Sequence, residues 1–143
     1  MIIPDVNLLL YAYDAKSSFH VASARWWEGL LSGVEPVGLC PVVAFGFLRL
    51  ATNPKIFERP MTVAEASRHI GSWLARPNVR LLVTGPAHIE SVCSLLAKAG
   101  TAGSLVTDAQ IAALALDYGA TVHTADTDFA RFAQLNWKNP LLV

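Results

Sequence analysis

Charge is scarce in this 143-residue chain. Asp, Glu, Lys and Arg make up 15% of it against 53% hydrophobic residues, and 11 bases balance 11 acids. So little charge beside so much apolar material excludes a disordered chain, and suggests that a partner covers some of the surface. Neutrality removes any net attraction to nucleic acid or an anionic membrane, while leaving a local patch open. Cysteine is also rare: Cys40 and Cys93 are far apart and form no C-x-x-C, so they read as free, buried thiols of a reducing compartment. No apolar run reaches spanning length, and Asp5 interrupts the opening M-I-I-P-D, which has no basic residue before it. The sequence-based expectation is therefore no membrane segment, no signal peptide and a cytoplasmic location. Repeats, low-complexity stretches and linkers are missing, which leaves residues 1–143 as a single domain with one core. There is no P-loop, G-x-G-x-x-G or G-x-S-x-G. The four histidines lack metal spacing: His20, His69 and His88 read as helix-surface residues, and His123 as a satisfied core residue.

What is present is an alternation of short β-branched runs with longer helical patterns. Ile2–Ile3, Val37 to Cys40, Val79 to Val83 and Thr121 to Thr124 read as strands, and the tail offers an edge strand at Leu141 to Val143. Helices are expected over Val6 to Tyr13, from Ser17 or Ser18 to Gly33, and over Val42 to Thr52 after Pro41. Others start at Thr62 with Glu65 as a capping box, run from Gly85-Pro86 to Ala99, and run from a Thr107 cap to Gly119. The spacing places Phe19, Ala22, Trp26 and Leu30 inward on the second helix, and Val63, Ala66, Ile70 and Leu74 inward on the fourth. In the last helix, Ile111, Leu114, Ala115 and Tyr118 form the apolar face. The third helix, with Arg49 as its only charge, is apolar nearly all round, so it is central or faces a second subunit.

Strands separated by helices predict an α/β fold with a small parallel sheet of four to five strands. Right-handed crossovers then bring the strand C-termini to one edge, where ligands bind in such folds. Asp5 ends the first strand, Asp108 begins the helix before the fourth, and Asp126 and Asp128 follow that strand. Each alone reads equally well as a helix cap or a first-turn acid. Together they are four of the six aspartates on one rim, repelling by about 4 kcal/mol per close pair at an effective dielectric of ~20. Either their pKa values rise, or a hard cation such as Mg²⁺ or Mn²⁺ neutralises them.

Three ordered stretches carry a family resemblance that covers essentially the whole chain: P-D-V-N-L-L-L-Y-A, G-F-L-R-L-A-T-N-P, and V-T-D-A-Q-I-A-A-L-A-L-D-Y-G-A-T with T-A-D-T-D-F-A-R-F. Together they resemble PIN-domain ribonucleases, in particular the mycobacterial-type VapC toxins of type II toxin–antitoxin systems. The resemblance implies a three-layer α/β/α sandwich and a Mg²⁺- or Mn²⁺-dependent endoribonuclease that blocks translation. Its partners would be a VapB-like antitoxin, an RNA substrate and a second copy of itself in a homodimer. It also implies that metal-activated water attacks an RNA phosphodiester. Asp5, Asp108 and Asp126 would bind the metal, Asp128 would support them in catalysis, and Asn7 and Thr124 would orient the acids. Arg49, Lys55, Arg59 and Arg131 are candidate RNA contacts, weighed against the reading of solvated surface. One position departs from the pattern: many PIN nucleases carry a Glu in the third helix where this chain has Gly46, which weakens the case for a second tightly held metal. Two other readings stay open, a catalytically silent PIN-like binding protein and a receiver-like Mg²⁺/phosphate module. The latter wants a late lysine near the pocket, and only Lys138 is available.

Overall fold

The computed structural model describes residues 1–142. The elements in chain order are β1 (Ile2–Pro4), α1 (Val6–Tyr13), α2 (His20–Ser32), β2 (Val37–Leu39), α3 (Pro41–Ala51) and α4 (Val63–Leu74). They are followed by β3 (Val79–Leu81), α5 (His88–Ala99), α6 (Val106–Tyr118), β4 (Thr121–His123) and β5 (Trp137–Lys138). All five strands are parallel in the order β3-β2-β1-β4-β5. The expected α/β sandwich is therefore present, with the larger of the expected strand numbers.

The strand order positions the site. The chain steps outward from β1 to β2 and β3, then returns to lay β4 on the other side of β1. Direction reverses between β1 and β4, and the crevice at the C-terminal ends of those two strands is where open α/β sheets hold ligands. Ile2, Ile3 and Pro4 pair in register with Thr121, Val122 and His123. The residues just beyond both strands, Asp5 and Thr124, are thereby brought to the same edge.

Ile3, Val37, Leu39 and Val122 are fully or almost fully buried, as expected of strands covered on both faces. An aromatic cluster closes one helical layer: Trp73 stands edge-on to Trp27 at 5.5 Å and to Phe47 at 4.9 Å. Trp73 also donates its indole N–H to the Tyr13 hydroxyl at 2.8 Å. That cluster sets helix faces which periodicity placed differently. In α4 the inward residues are Ala66, Ile70 and Trp73, while Val63 and Leu74 are exposed. In α2 Ser23 and Trp27 are buried and Trp26 and Leu30 pack against the core as expected, whereas Phe19 and Ala22 face outward. Tyr118 is likewise exposed, because α6 is buried continuously from Ala109 to Ala115 (save Gln110, half-buried) and emerges only in its last turn.

Other departures are local. The Ser17 hydroxyl accepts from the Phe19 amide, one turn ahead of α2, and does not cap the helix. Thr107 lies inside α6, because a 3₁₀ turn at Gly103–Leu105 runs straight into it. Gly119 ends α6 with φ +61°, a left-handed conformation that glycine adopts without steric cost. The Thr62–Glu65 capping box forms as expected, with Glu65 N donating to Thr62 Oγ1 at 3.1 Å. The tail strand is Trp137–Lys138, not Leu141 to Val143: Asn139 turns the chain by accepting from the Leu141 amide, and Val143 lies outside the described residues. Cys40 is buried, but Cys93 is exposed. Among the described residues, no helix is long and apolar enough to cross a membrane.

Candidate active site

Asp5 is the residue where β1 becomes α1. Its backbone is extended, and its Oδ1 accepts the Val6 amide at 2.7 Å as an N-cap. Its Oδ2 accepts the Thr124 hydroxyl at 2.7 Å. The side chain is only 4% exposed, and burial pushes its carboxyl above the ordinary carboxylate range. The two hydrogen bonds oppose that shift, and the charge of Asp126 adds to it.

Thr124, fully buried, links the two halves of the site. While donating to Asp5 it accepts from the Asp126 amide at 2.9 Å. Asp126 in turn caps a 3₁₀ turn at Thr127–Arg131, taking the Asp128 amide on Oδ1 at 2.8 Å. One hydroxyl thus ties the end of β1 to the loop after β4, and that loop presents two carboxylates. Asp108 arrives from the first turn of α6. One carboxylate oxygen from each of Asp108, Asp126 and Asp128 lies within 4.8 Å of the others.

The electrostatics follow from this crowding. The Asp108 carboxyl is pushed up to about 7, first by burial and then by the charges of Asp5, Asp126 and Asp128. Among the described residues the two ion pairs, Met1 amine–Glu35 and Lys16–Glu58, lie elsewhere, so no cationic side chain neutralises the rim. Four carboxylates with oxygen donors alone fit a hard divalent cation, and the soft sulfur of Cys40 remains a thiol, its pKa raised to about 12 first by burial and then by the charge of Asp5. The closest-set trio is Asp108, Asp126 and Asp128; Asp5 stands beside it with both oxygens already accepting one hydrogen bond each.

The remaining sequence-selected residues separate. Asn7 is half-buried in the first turn of α1, and its Oδ1 is buried without a hydrogen-bond partner. Arg49 lines an open groove of about 530 Å³ between α3 and α6, together with Val6, Phe45, Gly46, Thr107 and Gln110. Two of its lining residues, Val6 and Thr107, are the chain neighbours of Asp5 and Asp108. Arg59 instead lines a separate cavity of about 90 Å³ with Tyr13 and Phe57. Lys55 sits in the turn after α3 and Arg131 at the end of the 3₁₀ turn, both exposed. Lys138 lies within β5, paired with His123, and not in a loop of the acid rim. His123 is buried as expected, its Nδ1 accepting from Trp26 Nε1 at 3.0 Å. Burial lowers its pKa to about 4, helped by the charge of Lys138.

Phe45 and Gln110 had not been singled out from sequence. The available signal was spacing: Phe45 precedes Arg49 by four residues, so the two share one face of α3.

Residues 2–135 match the family model described as PIN domain. Ribonuclease VapC33 of Mycobacterium tuberculosis is 45% identical over 141 residues, covering 99% of this chain and 99% of that one. Among solved structures, Mycobacterium tuberculosis VapC20, described as a sarcin-ricin loop cleaving toxin, superposes with a TM-score of 0.71 at 19% identity, covering 95% of this chain and 99% of that one. VapBC2 from Rickettsia felis, bound to a DNA fragment from its promoter, gives 0.68 at 18% identity, covering 97% and 98%.

Proposed function

The chain belongs to the VapC branch of the PIN-domain family, and from that premise we propose that it is the toxin of a toxin–antitoxin pair, a Mg²⁺- or Mn²⁺-dependent endoribonuclease that arrests translation. The observation that carries this reading is the rim of four carboxylates, three with oxygens within 4.8 Å of one another and none paired to a base. Asp108, Asp126 and Asp5 would hold the cation, and Asp128 would complete the set. When bound, the cation supplies charge neutralisation at the phosphate and lowers the pKa of water.

The chain's own residues do the positioning. Thr124 and the Val6 amide fix both oxygens of Asp5, and the Asp128 amide fixes one oxygen of Asp126. Asp5 and Asp126 are therefore held in place with little side-chain freedom left to lose on binding. The Asp108 carboxyl, pushed up to about 7, would have to be deprotonated to hold the cation, because a proton and a cation compete for the same oxygen. Arg49 faces the adjoining groove, where it would neutralise a phosphate next to the reacting one. Lys55, Arg59 and Arg131 would contact the backbone further out. Gly46 adds no carboxylate, consistent with one cation held in the free protein. A VapB-like antitoxin belongs to the same proposal, supported by the toxin–antitoxin names of the structural neighbours, as do pairing of two copies and a cytoplasmic location; exposed Leu81, Val83 and Ile89 offer apolar surface for such contacts.

The test compares the wild type with Asp5→Asn and Asp108→Asn, each produced without antitoxin. Growth arrest and cleavage of total RNA are scored with Mg²⁺, Mn²⁺ or EDTA. Cleavage by the wild type with metal, lost in both folded variants, is the expected result. A folded wild type that cuts no RNA with either metal would leave a catalytically silent binding protein.

A further inference from the structure

Three of the hydrogen bonds that fix the acids end on one dipeptide, His123–Thr124. The His123 carbonyl accepts the Asp5 amide at 2.9 Å. The Thr124 hydroxyl donates to Asp5 Oδ2 at 2.7 Å and accepts the Asp126 amide at 2.9 Å. On the far side, the Thr124 amide donates to the Lys138 carbonyl at 3.0 Å. Backbone bonds of a parallel sheet run from strand to strand, so they set the spacing of β1, β4 and β5. The tilt of a short strand end out of the sheet is left to whatever packs on its faces.

At His123 that packing is polar. The residue is buried, and its Nδ1 accepts from Trp26 Nε1 of α2 at 3.0 Å. An indole nitrogen only donates, so Nδ1 is the unprotonated nitrogen and the ring carries its proton on Nε2. Trp26 is itself anchored, packed against the core with its ring 5.6 Å from that of Trp27. Among the described residues, no other side-chain hydrogen bond joins β4 to a helix. An apolar side chain at this position would fill the space without specifying an arrangement. A hydrogen bond has a preferred length and angle, and a buried polar pair is satisfied in one geometry only.

We propose that Trp26 is a positioning residue of the acid rim: by holding the His123 ring it fixes the His123–Thr124 dipeptide, and through it the backbone and carboxylate of Asp5 and the backbone of Asp126. This rests on the metal-dependent ribonuclease reading and adds to it a residue of α2 that bonds none of the four acids. The route is short, since Trp26 bonds residue 123 and residues 123 and 124 bond the acids.

The test compares the wild type, Trp26→Phe, and Trp26→Phe combined with His123→Leu. Phenylalanine keeps a ring but removes the N–H, leaving Nδ1 buried without a donor, so the single variant should melt lower. The double variant removes both polar groups and should recover much of that loss without restoring the bond. Stability and positioning are thereby separated. Mn²⁺ binding is measured by titration calorimetry, and amide hydrogen exchange of Asp5 and Asp126 is followed in EDTA. Both variants are expected to raise the Mn²⁺ Kd by about 10-fold, the low end for loss of a hydrogen bond outside the ligand shell. Both should also lose protection at Asp5 and Asp126 beyond any change at the Ile111 amide in α6. If affinity and protection merely follow Tm, falling in the single variant and returning in the double, Trp26 serves stability alone and the proposal is overturned. Unchanged Mn²⁺ affinity in both variants overturns it too, as does a wild type that binds no Mn²⁺. The ribonuclease reading is judged separately, by cleavage of total RNA at saturating Mn²⁺. A wild type that binds Mn²⁺ but cuts nothing would sink that reading, while the affinities still decide the role of Trp26.

Discussion

Thr124 donates its hydroxyl to Asp5 at 2.7 Å across 119 residues of sequence, and both side chains are buried. The bond closes the two ends of the chain over the crevice between β1 and β4. The same oxygen accepts the Asp126 amide, so one small side chain fixes the orientation of one acid and the backbone position of another. A buried carboxylate that kept neither of its two donors would face the full cost of desolvation.

Thr124→Val removes the hydroxyl while keeping the volume. The bond to a carboxylate is worth about 1.5–3 kcal/mol and the one from the amide about 1 kcal/mol, so a loss of about 2.5–4 kcal/mol is expected in chemical denaturation. The Thr124 bond also holds the Asp5 pKa down, so its removal lifts that carboxyl further and weakens Mn²⁺ binding. Thr124→Ser retains the hydroxyl and should keep metal binding while losing only a methyl group. Equal metal affinity in the valine and serine variants would show that the bond does not position the acid.

Asp108 gives the rim a pH signature. Its folded pKa of about 7 lies above the ordinary 3.8 of an aspartate, so the folded state holds this proton more tightly than the unfolded chain. Its contribution to stability is full below about 4 and is lost as pH rises toward 7. His123, lowered to about 4, works the other way: its contribution is lost as pH falls from 6.5 to 4. The Asp108 part is therefore read as a difference between proteins. In EDTA, Asp108→Asn should melt a few degrees above the wild type at pH 7.5, and the gap should close as pH is lowered toward 4. Addition of Mg²⁺ at pH 7.5 should raise the wild-type Tm more than that of the variant. A gap that does not vary with pH would mean that the repulsion at Asp108 is screened.

The pattern of residues carries the architecture further than it carries side-chain directions. Alternation of short β-branched runs with helices yields the parallel sheet, and the crossover rule alone brings Asp5, Asp108, Asp126 and Asp128 to one edge. Asp5 as cap of α1, Thr62 with Glu65, and Gly119 are local signals, and local signals survive folding. The inward faces of α2 and α4 keep Trp26, Leu30, Ala66 and Ile70 but lose Phe19, Ala22, Val63 and Leu74, because Trp27 and Trp73 pack against each other, a tertiary contact that rotates each face. The tail strand moved to Trp137–Lys138 because β4 needs a partner in register, and that register is invisible until β1 and β4 are paired. The groove could not be read at all, since α3 and α6 meet only in three dimensions. Gly46, which lines it, looks in the sequence like any helix glycine.

Two glycines of this chain make a matched pair that separates tight packing from ordinary contact. A Cβ on Gly38, in the centre of β2, would come within 2.8 Å of Leu82 Cδ1, 2.9 Å of Met1 Sδ and 3.1 Å of Ile3 Cγ1. Three side chains on one sheet face would have to move at once, so Gly38→Ala should cost about 1–3 kcal/mol. Gly46→Ala meets only ordinary contact with Val6 and removes a weak helix former, so it should add roughly 0.5–1 kcal/mol. At this chain length the two changes should move Tm in opposite directions by roughly 4 °C per kcal/mol. Thermal melts in EDTA check this directly. Destabilisation by Gly46→Ala would mean that the surroundings of Gly46 are tighter than its contacts indicate, and that the glycine serves packing after all.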